Sequence, residues 1–178
     1  RNAKHQFLYT AADLMAAGVT AGTFTEIGFY VTTIFGTTQY NSYQIKIGCT
    51  SISSITSWQA GLTTVFTPKN IAISTGLNNH ILDSPYDWNG TSNIIVEICY
   101  NNLSTTYTNN SASPYTTTGY TSAIYYRSDG TAACPYTASQ TTSNNRPNTK
   151  FSVCTDLIIP QFSWTPNTNI SNDTIPNP

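Results

Sequence analysis

The chain has 178 residues, enough for one domain with a sizeable core and too few for two of ordinary size. Charged residues make up 8%, against roughly 25% in an average globular protein, while Ser, Thr and Asn fill 67 positions, so the surface is built from hydroxyls and amides. A net charge of -1 provides no field for phosphate backbones or anionic membranes, which argues against nucleic-acid binding. Apolar runs such as those at 94–96 and 157–159 fall far short of the roughly 20 residues needed to cross a bilayer, and no membrane span is expected. The chain opens on Arg1 without an initiator Met or leader pattern, as expected of a mature or excised piece.

Richness in Thr, Tyr, Ile and Val predicts an all-β fold. The one helical signal lies at residues 10–18, with Thr10 as N-cap, Asp13 at N3 and Gly18 as the stop. Residues 25–33 then alternate as a strand with Ile27, Phe29 and Val31 on one face. Residues 43–49 alternate more cleanly, placing Tyr43, Ile45 and Ile47 inward and Gln44 and Lys46 outward. Further strands are expected at 63–67, 70–74, 93–100, 122–127 and 150–154, with Gly, Pro, Asn and Ser between them. This spacing predicts a jelly-roll-like antiparallel β-sandwich with one short N-terminal helix over residues 1–157, followed by an extended tail at 158–178. The polar stretch at 101–121 reads as a long exposed loop or weak edge strand, and 137–148 reads similarly.

Cys49, Cys99, Cys134 and Cys154 have no Cys-x-x-Cys spacing and only two His for company, which disfavours zinc. Disulfides are the better reading and imply an extracellular location. Three pairings are open, of which Cys99 with Cys134 and Cys49 with Cys154 is favoured; four buried free thiols is the alternative. Sequons at Asn89, Asn102, Asn109, Asn169 and Asn172 arise readily by chance in so Asn- and Thr-rich a chain.

No constellation reads as catalytic. His80, Asp83 and Ser84 are triad residue types, but adjacent residues rarely form a triad and no Gly-x-Ser-x-Gly elbow exists. Glu97, in an apolar strand, is either a buried hydrogen-bonded carboxylate or, more commonly, edge-facing. Residues 87–90 offer oxygens to calcium, yet Asn89-Gly90 fits a hairpin turn with positive φ at both positions better, and Asp129-Gly130 repeats that logic. No cofactor or metal is called for. Tyr107, Tyr115 and Tyr120 sit in a polar stretch where no core demands them, and exposed aromatic faces stack on sugars or anchor interfaces. Tyr also suits strand surfaces generally.

Five stretches, 6–14, 22–29, 43–50, 87–99 and 145–148, together resemble a β-sandwich module of large secreted Bacteroidota surface proteins, including gliding-motility adhesins exported by the type IX pathway. The 87–99 stretch is the most specific, with turn, apolar strand and Cys99 in the family's order. The tail, with Phe162 and Trp164, resembles the opening of a PKD- or immunoglobulin-like repeat. The resemblance implies a non-catalytic jelly-roll-like module at the cell surface. In that setting Asp173-Thr174-Ile175 fits an O-glycan acceptor pattern at Thr174. The expected function is a structural or adhesive module of a surface protein or filament. Self-association or contact with neighbouring domains of the same protein would run through Phe162, Trp164 and Ile170 of the tail. The alternative is a carbohydrate-binding module accessory to a secreted polysaccharide-degrading enzyme, with glycans as partners.

Overall fold

A computed structural model describes residues 1–103 and 109–154. In chain order the elements are β1 (Asn2–Tyr9), α1 (Ala11–Ala16), β2 (Gly22–Val31), β3 (Gln39–Thr50), β4 (Thr63–Ala72), β5 (Gly76–Trp88), β6 (Asn93–Tyr100), β7 (Tyr115–Thr117), β8 (Ala123–Ser128), β9 (Thr141–Ser143), β10 (Asn145–Pro147) and β11 (Thr149–Cys154). A six-stranded sheet has the order β4-β3-β6-β1-β8-β9, a three-stranded sheet the order β11-β2-β5, and β10 pairs with β7. All pairings are antiparallel. The chain passes repeatedly between the two larger sheets, giving an all-β sandwich with a single short helix, the architecture that the strand spacing predicts.

The helix forms where expected. The Thr10 hydroxyl accepts from the Asp13 amide at 3.1 Å, and Gly18 closes the segment at φ +81°. The strands at 25–33, 43–49, 93–100, 122–127 and 150–154 fall within or across β2, β3, β6, β8 and β11, while 63–67 and 70–74 fuse into the single strand β4. Two long strands escape the sequence pattern, and the three-residue β7, β9 and β10 fall in the stretches read as loop or weak edge strand. β1, which sits between β6 and β8 in the large sheet, alternates Asn2, Lys4 and Gln6 with Ala3, His5 and Phe7, so its polar face conceals its central position. β5 contains Asp83 and Pro85, yet pairs with β2 on either side of a bulge between Phe24 and Glu26, which leaves Pro85 outside the ladder.

Both faces of the large sheet are covered. On the inner face Phe7, Tyr43, Ile45, Ile47, Ile94 and Val96 meet Phe24, Ile27, Phe29 and Trp88 of the small sheet. Each such side chain, once buried, contributes roughly 1.5–3 kcal/mol before chain entropy is counted. The outer face carries Leu8, Ile95 and Ile124, closed over by Ile55 and flanked by Ile52, Trp58 and Leu62 from the loop after β3. Gln44 and Lys46, expected to face solvent, lie instead on this loop-covered face: Gln44 donates to Cys99 Sγ at 2.9 Å, and Lys46 lies 3.2 Å from Glu97. The sheet therefore has two interiors, one apolar and one mixed.

The β5–β6 turn is not the expected hairpin type. Gly90 has φ +77°, but Asn89 does not share it; the Asn89 Oδ1 accepts from the amides of Thr91 and Ser92, an Asx turn. Nor does Asp129-Gly130 take positive φ; Asp129 instead pairs with Arg1 at 3.0 Å. Cys99 and Cys134 are bonded, with Cα atoms 5.3 Å apart, tying β6 to the loop after β8. The expected Cys49–Cys154 bridge is absent. Cys49 belongs to β3 of the large sheet and Cys154 to the edge of the small one, and both thiols are exposed.

Candidate functional site

Between the two sheets, beyond the packed centre, a cavity of about 550 Å³ opens to solvent, within the usual ~300–1,000 Å³ of small-ligand sites. Strand alternation builds it. From the large sheet, β1 contributes His5 and Phe7, β3 contributes Tyr40 and Tyr43, and β6 contributes Ile98 and Tyr100. From the small sheet come Phe29 and Val31 of β2 and Asn78 and His80 of β5. The segment leading into β7 forms the mouth, with Asn110, Ser111 and Tyr115. It is held there because Ala112 exchanges backbone hydrogen bonds with Thr32 and Thr33, and the Ser111 amide donates to the Tyr40 hydroxyl at 3.1 Å.

The walls are aromatic stacks. Tyr40 and Tyr100 lie nearly parallel with centroids 4.3 Å apart, and Tyr43 approaches His80 at 5.0 Å. Opposite them His5 stacks between Phe7 and Tyr125 at 5.6 and 5.5 Å, and the Arg127 guanidinium lies 4.8 Å over the Tyr125 ring. Burial pushes both imidazoles down to about 4, with the Arg127 charge adding to the effect at His5 and that of Lys69 at His80, so both are neutral at pH 7. The same desolvation raises the Tyr43 and Tyr100 phenols above their ordinary range.

Several polar groups here lack partners. Neither His5 nor His80 makes a hydrogen bond among the described residues, although His80 is only 7% exposed. Asn110 Oδ1 and Ser111 Oγ are buried at the mouth, also without partners among the described residues. Buried polar groups are normally satisfied, so the unmet capacity of Asn110 and Ser111 makes the mouth a candidate contact point. No Asp or Glu lines the cavity, and none of its serines hydrogen-bonds a histidine. The arrangement offers stacking faces and hydrogen bonds, without an acid–base pair or an activated nucleophile.

The aromatic residues singled out from sequence diverge. Tyr115 stands on the cavity rim and is 60% exposed. Tyr120 is not free for contact. Its hydroxyl donates to Asp13, which also pairs with Arg146 at 3.0 Å, and Arg146 donates to the Leu8 carbonyl at 2.8 Å. Through Asp13, α1 is thereby fastened to the adjoining strands. Tyr107 lies outside the described residues, as do Phe162, Trp164 and Ile170 of the tail and the candidate glycan acceptor Thr174. The cavity's histidines went unrecognised in the sequence because His5 and His80 are 75 positions apart; the one available signal was their place among alternating aromatic and aliphatic residues.

The remaining ionisable groups are structural. Asp83 turns away from His80 and accepts from the Thr67 amide and hydroxyl and from Lys69 at 2.8 Å, which holds its carboxyl well below the usual range. Glu97 is buried on the loop-covered face, 3.5 Å from Lys4 Nζ and 3.2 Å from Lys46 Nζ, and accepts from Gln6 at 2.7 Å. Lys4 also donates to the Tyr136 carbonyl and lies 4.7 Å over Trp58. Among the described residues no three His, Cys, Asp or Glu side chains come together to hold a metal. No family model, curated protein or solved structure matches this chain.

Proposed function

We propose that the chain is a non-catalytic adhesive or structural module of an extracellular surface protein or filament, and that the intersheet cavity is its recessed contact site. The observation that carries this reading is the cavity itself, with stacked aromatic walls and unpaired hydrogen-bonding groups but no carboxylate in its lining. The Cys99–Cys134 disulfide and the hydroxyl-rich surface fit an oxidising exterior. The tail at 158–178, with Phe162, Trp164 and Ile170, supplies apolar anchors for a neighbouring domain or a second copy. Electron microscopy of the native material tests the assembly: filaments lost on deleting residues 158–178, with the sandwich still folded, support it, and assembly unchanged by that deletion refutes the tail's role.

A second reading, a carbohydrate-binding module accessory to a secreted polysaccharide-degrading enzyme, draws on the same cavity, since Tyr115 presents an exposed ring beside the Tyr40–Tyr100 stack. Sugar affinity that falls on Tyr115→Ala supports it. A glycan screen without binding counts against it.

A further inference from the structure

The lining specifies more than a generic stacking site. Asn110 Oδ1 is a carbonyl oxygen that only accepts, so its partner must bring a donor. The neutral imidazoles of His5 and His80 each offer one donor and one acceptor, and Ser111 Oγ does both. A partner matching this set carries several hydroxyls, and to lie against Tyr40, Tyr100 and Tyr125 it also needs a flat apolar face. A pyranose ring has both properties.

Charge narrows the class. The chain has seven Lys and Arg residues, and six of them reach a carboxylate: Arg1, Lys4, Lys46, Lys69, Arg146 and Lys150. Arg127 alone has no carboxylate partner among the described residues, and it lines the cavity, held over Tyr125. In a chain with so few charges, this cation lines the cavity, and no acidic side chain among the described lining residues is there to repel an anion. A planar guanidinium is suited to bidentate pairing with a carboxylate.

We propose that this cavity binds a uronic-acid residue of an acidic polysaccharide, its ring against the tyrosines, its hydroxyls on His5, His80, Asn110 and Ser111, and its carboxylate on Arg127. The inference rests on the cavity being the contact site, and the experiment separates the two. The full chain is titrated calorimetrically with mono- and trisaccharides of galacturonate, glucuronate and guluronate, each beside its carboxyl-reduced neutral form, using wild type, Arg127→Gln and Tyr115→Ala.

The expected result is a preference of about ten- to hundredfold for at least one acid form, the worth of a charge-assisted hydrogen bond. Arg127→Gln abolishes that preference, bringing the affinity for the acid form down to that for the neutral form, and Tyr115→Ala weakens both. Equal affinity for acid and neutral forms, lost in Tyr115→Ala, overturns the acidic specificity and leaves the cavity as a sugar site. A preference that survives Arg127→Gln overturns the role of that residue. No binding by any of the six pairs overturns the inference together with the carbohydrate reading. Arg127 is exposed and forms no ion pair among the described residues, so its loss leaves the fold intact.

Discussion

Glu97→Gln is the sharpest test of how the two interiors of the large sheet are held. Glu97 is buried on the loop-covered face, its side chain 4% exposed, between Lys4, itself 7% exposed, and Lys46. At an effective dielectric of ~20, each ion pair at these distances carries about 5 kcal/mol of Coulomb attraction before desolvation is subtracted. Removing the charge while keeping the shape leaves the Lys4 ammonium without its anion, against the neutral Tyr136 carbonyl and Trp58 ring. Breaking a buried pair in this way costs about 3–5 kcal/mol. Urea denaturation followed by tryptophan fluorescence should show the midpoint falling with an unchanged m-value. The double variant Lys4→Met, Glu97→Gln should recover much of the loss, since an apolar side chain under Trp58 needs no counter-ion. A loss below ~1 kcal/mol in the single variant refutes the reasoning and means that water or relaxation satisfies Lys4.

Three further outcomes follow. Reducing Cys99–Cys134, or making Cys134→Ser, should cost about 4 kcal/mol from the chain entropy of a 35-residue closure, read as a lowered urea midpoint. His5 and His80 are held to about 4 in the fold against an ordinary 6.5, so the unfolded chain binds more protons between those values. Their contribution is complete above pH 6.5 and is lost as pH falls toward 4, about 2 kcal/mol per imidazole between pH 7 and pH 5, and His80→Asn should flatten that slope. Arg146→Met should cost about 1–3 kcal/mol by leaving Asp13 and the Leu8 carbonyl short of a donor, with protease cleavage appearing first near α1.

Much of the architecture was legible because in β2 and β3 large buried side chains recur every second residue, Ile27 and Phe29, Ile45 and Ile47, and because β6 carries the apolar run Ile94, Ile95 and Val96, buried on both faces. The rule fails where both faces of a strand are buried and one of them is polar. In β1 the alternation is perfect, but Lys4 and Gln6 read as solvent-facing until the loop carrying Trp58 and Gln59 is folded over them, where Gln6 exchanges hydrogen bonds with the Gln59 backbone. β5 was hidden by Pro85, which the bulge opposite Thr25 tolerates. The site was half visible. Tyr115 stood out as an aromatic without a core to enter, whereas Tyr120 looked the same and proved to be locked to Asp13, because sequence shows polarity around a residue but not the long-range partner. His5 and His80 line one cavity from different sheets, a juxtaposition that no local pattern encodes.

The intersheet cavity is the proposed contact site. Its most direct test is the imidazole region of the NMR spectrum during titration with acidic and neutral saccharides. Both His5 and His80 should shift together with saturating dose dependence, and Tyr115→Ala should weaken the response without altering the free spectrum elsewhere. Saccharide-induced shifts confined to other surfaces, with both imidazoles unmoved, would contradict the account.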